Sequence, residues 1–284
     1  MAKSQNPLSS FYRAPKSYTQ IPSQGKYYTD DVVEMPETGE LPIYPMTAKD
    51  EMIMKNPDAL LNGEAVAQLI ASCVPAVKKP RDMISNDIDA LLIAVQGATY
   101  GDEVTVDSNC PKCNTENSAV ASIESALDSM TVLNNVYNLE TDNGLTITLK
   151  PFSYNSTVKA GIANFKSTRS LQSLAEVGDE LEQLKAFNDN FMQIAALNFE
   201  LIVDSVAKVS GTDVDGEDFV VTDGASIREF LENCDAKIGS KIENEIGEIA
   251  KIGINKEAQI ECSNCGHVYE KEIGFDPVNF SMAS

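Results

Sequence analysis

The spacing of apolar residues divides the chain into stretches of different period. Residues 1–40 show none: Pro7, Pro15, Pro22 and Pro36 interrupt a polar segment that ends its first turn-like stretch, IPSQGKYY, on the aromatic pair Tyr27-Tyr28. Proline fixes φ and removes a hydrogen-bond donor, so this reads as an extended arm that orders only against something else. From 41 to 101 the period is helical. Thr47 followed by Asp50 and Glu51 predicts a capped short helix. Asn62 is placed to cap a second, with Val66, Leu69, Ile70 and Cys73 on its apolar face and Pro75 just past its end. Cys73 on that face is a small buried hydrophobe. Ser85 is placed to cap a third, with Asp87 and Asp89 in the first turn, where the helix dipole favours negative charge. Ile88, Leu91, Leu92 and Val95 form its stripe, and Gly97 and Gly101 mark its end.

Beyond 101 the period shortens to two. EVTVD, CPKC and ENSAVASI read as strand, turn and returning strand. NVYNLET and LTITLK flank Asp142-Asn143-Gly144, a hairpin signal because Asn-Gly supplies positive φ angles. Residues 155–208 return to a helical period and bring Leu181, Leu184, Phe187, Phe191, Ile194, Leu197 and Leu201 to one face. Two readings of that stripe stay open: it packs into the protein's own core, or it faces a partner. GTDVDGEDFVVTDG is an acidic loop with a short strand. Its Asp213, Asp215 and Glu217 outline a calcium loop poorly, since the glycine comes too early and the closing glutamate is absent. IREFLENC and KIGSKIENEIGEI are helical, and AQIECSNCGHVYEKEIGFD is strand-like on both sides of its cysteines. The expected fold class is α+β. It comprises an extended arm (1–40), a small helical unit (41–101), a four-cysteine zinc-ribbon-like β element (102–130 and 252–284), and a mainly helical insertion with a β-hairpin (131–251).

Composition narrows the partners. The chain has 284 residues, 43% hydrophobic and 23% charged, enough to bury a core. No run approaches the roughly 18 apolar residues of a membrane span, and the N-terminus has no apolar signal segment, so an intracellular origin without membrane association is expected. Net charge is −21, while residues 1–29 carry Lys3, Arg13, Lys16 and Lys26 and no acid. An acidic body repels phosphate, which counts against nucleic acid as a partner. The basic arm is either a solvated tail or a segment that docks on an acidic neighbour.

Four of the six cysteines fall into two CxxC pairs, Cys110 with Cys113 and Cys262 with Cys265. A two-residue spacer turns both sulfurs toward one ion, and two such knuckles supply the four soft anionic ligands that zinc takes in closed structural sites. Gly266 follows the second pair where the knuckle must turn back. Cys113 and Cys262 stand 149 positions apart, far beyond ordinary ribbon spacing, so the two ribs must meet around an insertion of about residues 130–255. A redox pair and an iron–sulfur cluster are the competing readings. His267, the only histidine, is a bystander if four thiolates are present. One structural zinc ion with no open coordination position is the expected cofactor.

Enzyme readings find no purchase. There is no GxxxxGK[ST], GxGxxG or GxSxG segment, and no histidine placed beside a nucleophile. The order IPSQGKYY, LPIYPMTAKDEMIMKNPDALLNGEAVAQLIASCV, a helix ending in TYG, then CPKC, and later SIREFLENC and IECSNCGH, resembles the baseplate hub protein family of T-even-like contractile-tailed bacteriophages (myoviruses). The resemblance covers about residues 20–115 and 225–280. It implies a structural, non-enzymatic component of the virion tail baseplate or hub, assembled in the host cytoplasm. Such a component would bind other tail proteins through the arm and helical unit, with several copies per particle open. An assembly chaperone absent from the mature virion, and a zinc-ribbon regulator touching nucleic acid or polymerase, are the alternatives.

Overall fold

The structure is a computed structural model that describes residues 6–175 and 180–272. Helix and sheet are mixed in the α+β manner expected. The N-terminal part holds strand β1 (Ser17–Thr19) antiparallel to β2 (Leu41–Ile43), with Ser17 opposite Ile43. Four helices follow: α1 (Ala48–Met54), α2 (Pro57–Leu61), α3 (Glu64–Cys73) and α4 (Ser85–Tyr100). Thr47 and Asp50 close the capping box that opens α1. Helix α2 went unforeseen; Asn56 caps it and Pro57 occupies its first position. Asn62 accepts from the Glu64 N–H at 2.9 Å, one residue outside the cap position, which Gly63 takes in a left-handed conformation.

Helix α4 is the spine. Ile88, Leu91, Leu92 and Val95 face the first core with Ile21, Leu41, Ile43, Leu69 and Ile70. Its Ala90 and Ile93 face a second cluster with Ile123, Ala126 and Ile254. A helix apolar on more than one side belongs inside. Two sequence expectations for α4 are corrected. Ser85 makes no capping bond; Ile84 is the cap residue, and the Ser85 hydroxyl pairs with Thr157 at 2.6 Å. Gly97 lies within the helix, where a Cβ would come 2.9 Å from Ile123 Cγ2; it permits close packing of α5 (Ile123–Asp128), and only Gly101 ends the helix.

The arm is also corrected. From Arg13 onward it is laid across the chain's own helical unit. Ile21 and Val33 are core residues, and Val33 bridges to Val77. Beyond the short β1–β2 ladder, side-chain hydrogen bonds tie this proline-interrupted segment to the helical unit. The Arg13 guanidinium donates to the Pro45 carbonyl at 2.6 Å and the Ser72 carbonyl at 2.7 Å, and pairs with Asp50 at 3.3 Å. Asp87, fully buried on the first turn of α4, accepts the Ser23 N–H at 2.9 Å, the Ser23 hydroxyl and the Tyr28 hydroxyl. Next to it, Asn86 donates to the carbonyls of Ile249 at 3.0 Å and Ile252 at 2.7 Å. Adjacent residues thus hold the arm on one side and the C-terminal region on the other.

The expected β-hairpin is half of a larger sheet. Strands β5 (Tyr137–Glu140), β6 (Thr146–Leu149), β7 (Val206–Thr212) and β8 (Asp218–Val221) pair antiparallel in that order. Between β6 and β7 runs a helical hairpin, α6 (Tyr154–Ala175) and α7 (Glu180–Ser205). Strand β7 begins where a helical period was expected to run on to 208, because Val206 and Val209 complete the sheet's buried face. Against that face lie α8 (Gly224–Asn233) and α9 (Ala236–Lys251), the latter through Ile238, Ile242, Ile246 and Ile249. In the acidic loop, the Asp213 carboxylate accepts the N–H groups of Asp215 and Glu217, both at 2.9 Å, which closes the β7–β8 turn.

The α7 stripe divides. Phe199, Ile202 and Val203 at its C-terminal end join the sheet core, and Ile194, Leu197 and Leu201 are half-buried. Leu184, Phe187 and Phe191 are 68%, 57% and 62% exposed; the side chain of Leu181 lies outside the described residues. The core reading fails for this distal part because α7 outruns the elements it packs on.

Asp87→Ala should cost about 3 kcal/mol in a denaturant titration, since it leaves buried donors on Ser23 and Tyr28 without an acceptor. Burial raises the Asp87 carboxyl to about 6, against the opposing pull of the bonds from Ser23 and Tyr28. A raised carboxyl contributes stability at low pH and loses it as pH rises through its folded pKa. Wild-type stability should therefore fall from about pH 4 to about pH 6 by an amount absent in Asp87→Asn. Parallel pH profiles for the two proteins would exclude this assignment.

Candidate metal centre

Two short antiparallel hairpins build the site. The first pairs β3 (Glu103–Asn109) with β4 (Glu116–Ser122), Asn109 facing Glu116 at the tip. The second pairs β9 (Glu257–Glu261) with β10 (Val268–Glu272), Glu261 facing Val268. Each tip carries one CxxC pair, and the two tips repeat the same backbone bonds. Cys110 N–H donates to the Thr115 carbonyl at 2.9 Å, and Asn114 N–H donates back to the Cys110 carbonyl at 2.8 Å. In the second knuckle, Cys262 N–H donates to the His267 carbonyl and Gly266 N–H to the Cys262 carbonyl, both at 2.9 Å. The turn needs positive φ at the residue after the pair: Gly266 has 65° and Asn114 has 57°. Asparagine tolerates this conformation better than most residues, so it takes glycine's part in the first knuckle.

The four sulfurs of Cys110, Cys113, Cys262 and Cys265 lie within 4.8 Å of one another. Across the gap, Cys110 and Cys265 are 3.8 Å apart and Cys113 and Cys262 are 3.5 Å apart. These are far longer than a disulfide bond and close to the roughly 3.8 Å edge of a tetrahedron with zinc–thiolate bonds. Cys110 and Cys262, the first of each pair, are buried, and the second of each is exposed. His267 adds nothing to the cluster: its backbone serves the knuckle and its ring stacks near Tyr269, with centroids 6.2 Å apart.

Hydrogen bonds from the chain prepare the sulfurs unequally. Thr115, through its side chain and backbone, holds the Cys113 thiol down at about 6. The backbone N–H groups of Cys265 and Asn264 favour the Cys262 thiolate and hold that thiol low as well. The His267 N–H likewise favours the Cys265 thiolate, but the three neighbouring sulfurs, with some desolvation by the knuckle around this exposed residue, outweigh it and push this thiol up to about 12. Four like groups cannot all ionise side by side unless a cation replaces the protons, so the donor set fits a divalent ion that prefers thiolate.

One residue missed by sequence reasoning ties the knuckles together. Asn117 on β4 accepts from the Ser263 N–H at 2.9 Å and the Ser263 hydroxyl at 3.0 Å. It donates to the Thr115 carbonyl at 2.8 Å and lies 3.6 Å from the Cys262 sulfur. Its signal was weak, a polar residue at an inward position of an alternating strand. Below the knuckles, among the described residues, Val106 and Ile260 are the buried members of a small apolar cluster, with Val104, Ala119, Ala121, Ala258 and Tyr269 around them. So small a core leaves the ribbon dependent on its clasp.

Fold and site together define an α+β protein whose distant segments are gathered by a closed cluster of four thiols, with no other metal-type cluster of histidine, cysteine or acidic side chains among the described residues. The family described as T4 bacteriophage base plate protein matches residues 18–280, spanning both knuckles and the whole segment between them, and the chain belongs to that family. No curated protein and no solved structure matches the chain.

Asn117→Ala should keep the fold but weaken metal affinity by about 10- to 100-fold, as loss of an outer-shell partner does. Competition with a chromophoric chelator measures this. Cys262→Ser should release the metal outright and lower the melting temperature; unchanged metal content and melting would show that the cluster holds none.

Proposed function

We propose that this protein is a structural component of the phage tail baseplate hub, holding other tail proteins together in a contractile injection apparatus. Membership of the base plate family carries the reading. On it, the protein resides in the virion tail and assembles in the host cytoplasm. One zinc ion sits in Cys110, Cys113, Cys262 and Cys265, where four thiolates fill a tetrahedral shell and leave no position for substrate. Its role is to hold the two ribs of the β element, and so to shape a binding surface; no catalysis is assigned to it. The division into arm, helical unit, ribbon and insertion serves the same purpose, with one modification to the arm.

Because the arm from Arg13 onward packs against the protein's own helical unit, the partner contacts are assigned to the residues just before it and to the helical unit's outer side. Leu8, Phe11 and Tyr12 follow one another on a 3-10 turn and are largely exposed, Phe11 at 83%, with Met52 on α1 exposed as well. Aromatic residues in this state are typical anchors of protein interfaces. The acidic surface disfavours nucleic acid as the partner.

Quantitative mass spectrometry of purified virions should find the protein at a fixed ratio to other baseplate proteins. Its absence from mature particles, with presence in infected cells, would replace this reading by that of an assembly chaperone. Elemental analysis of the purified protein should return one equivalent of zinc; iron in its place would overturn the metal assignment alone. Salt-dependent DNA binding would favour the zinc-ribbon regulator.

A further inference from the structure

Strand β1 has one edge that no other described strand pairs. On its paired side it lies antiparallel to β2 with Tyr18 opposite Pro42, and proline has no N–H to give. That pair is therefore the non-hydrogen-bonded kind, in which the backbone groups of the two residues point away from each other. The Tyr18 N–H and C=O face outward, and among the described residues neither has a hydrogen-bond partner. The Gln20 N–H, two residues on, has none among them either. Unpaired groups along a strand edge are a template for one more strand.

That edge is one wall of an open groove of about 550 Å³. The floor is apolar, made by Ala94, Gly97 and Ala98 of α4 with Ile123 and Leu127 of α5. Its three small residues on α4 keep the floor low. Around the rim stand Glu40, Asp102, Glu124 and Asp128, all exposed, and no basic side chain lines the groove. Asp102 accepts the Glu124 N–H at 2.6 Å. Among the described residues, no lysine or arginine forms an ion pair with any of the four acids.

These features select the occupant. A free edge calls for extended backbone, which excludes a helix, whose own backbone groups are already paired. The low apolar floor takes medium-sized apolar side chains on the inward side of such a segment. Four uncompensated acids, in a chain of net charge −21, favour lysine or arginine at its ends and repel an acidic one.

We propose that the groove between β1 and the α4–α5 face is a strand-addition site. A partner's extended segment, apolar in the middle and basic at its ends, pairs there with the backbone of Tyr18. That the partner is another tail protein rests on the baseplate reading; the site itself does not, and it is independent of the metal.

Fluorescence anisotropy of the full-length protein, metal intact, tests it. The probe is a labelled peptide of alternating valine and threonine with a pair of lysines at each end. The wild type should bind it saturably, and Glu124→Lys with Asp128→Lys should bind it at least tenfold more weakly. Tyr18→Pro removes the N–H that the added strand needs and leaves the bonds to β2 in place, since an edge position tolerates proline. It should abolish binding with the circular dichroism spectrum and melting temperature close to wild type, whereas Tyr18→Val should bind as the wild type does. Should Tyr18→Pro disturb folding, N-methylation of alternate amides in the peptide removes the same bonds from the other side and should also abolish binding. No binding at millimolar peptide overturns the proposal, as does equal binding by folded Tyr18→Pro or by the N-methylated peptide. A chain that binds only after removal of residues 1–5, or that self-associates until the peptide is added, also overturns it. Those results give the groove to the chain's own N-terminus or to a second copy. Binding by a protein that is absent from virions would leave the site standing and remove the baseplate reading alone.

Discussion

A carboxylate with no exposure to water organises the molecule. Asp87 sits on the first turn of α4, where the free N–H groups of a helix start favour negative charge, and it takes three hydrogen bonds from Ser23 and Tyr28. Burying a charge is costly unless it is bonded on every side, so the segment 21–28 has one place to go. Asn86 extends the same constraint in the opposite direction, onto the end of α9. Arm, spine and C-terminal helix are thereby set in register. The contacts of Thr131 with Gly253 and of Asp89 with Lys256 carry that register toward the ribbon.

The ribbon resolves a different problem. Its two hairpins come from points far apart in sequence, and bringing them together costs loop-closure entropy that two buried aliphatic side chains cannot offset alone. An ion held by the four thiols would convert metal binding into folding free energy. The intervening sheet and helices pack on an isoleucine- and valine-rich core that also takes in Ile84, Tyr27 and Tyr28, so their core is separate from the small one under the knuckles.

The helical hairpin breaks the pattern of self-sufficiency. Its base belongs to the protein's core while Leu184, Phe187 and Phe191 stay in solvent. Read as a period alone, the stripe on α7 has one meaning along its whole length; in the fold it has two, because only the last turns of the helix lie over the sheet and α8.

The sequence by itself determined what depends on neighbours along the chain. The capping box at Thr47 and Asp50, the strands flanking each CxxC pair, the hairpin about Asn143-Gly144 and the identity of the four cysteines follow from spacing and local chemistry. The tertiary structure alone decided which side chains meet across long separations. Asp87 looks like an ordinary first-turn acid until Ser23 and Tyr28 are placed against it, and Asn117 looks like a polar strand residue until Ser263 arrives from the other rib. The same holds for the arm, whose prolines rule out a helix without saying what satisfies its backbone, and for β7, whose pairing with β6 crosses the whole helical hairpin. Burial and hydrogen bonding between distant segments are properties of the assembled fold, and no local pattern records them.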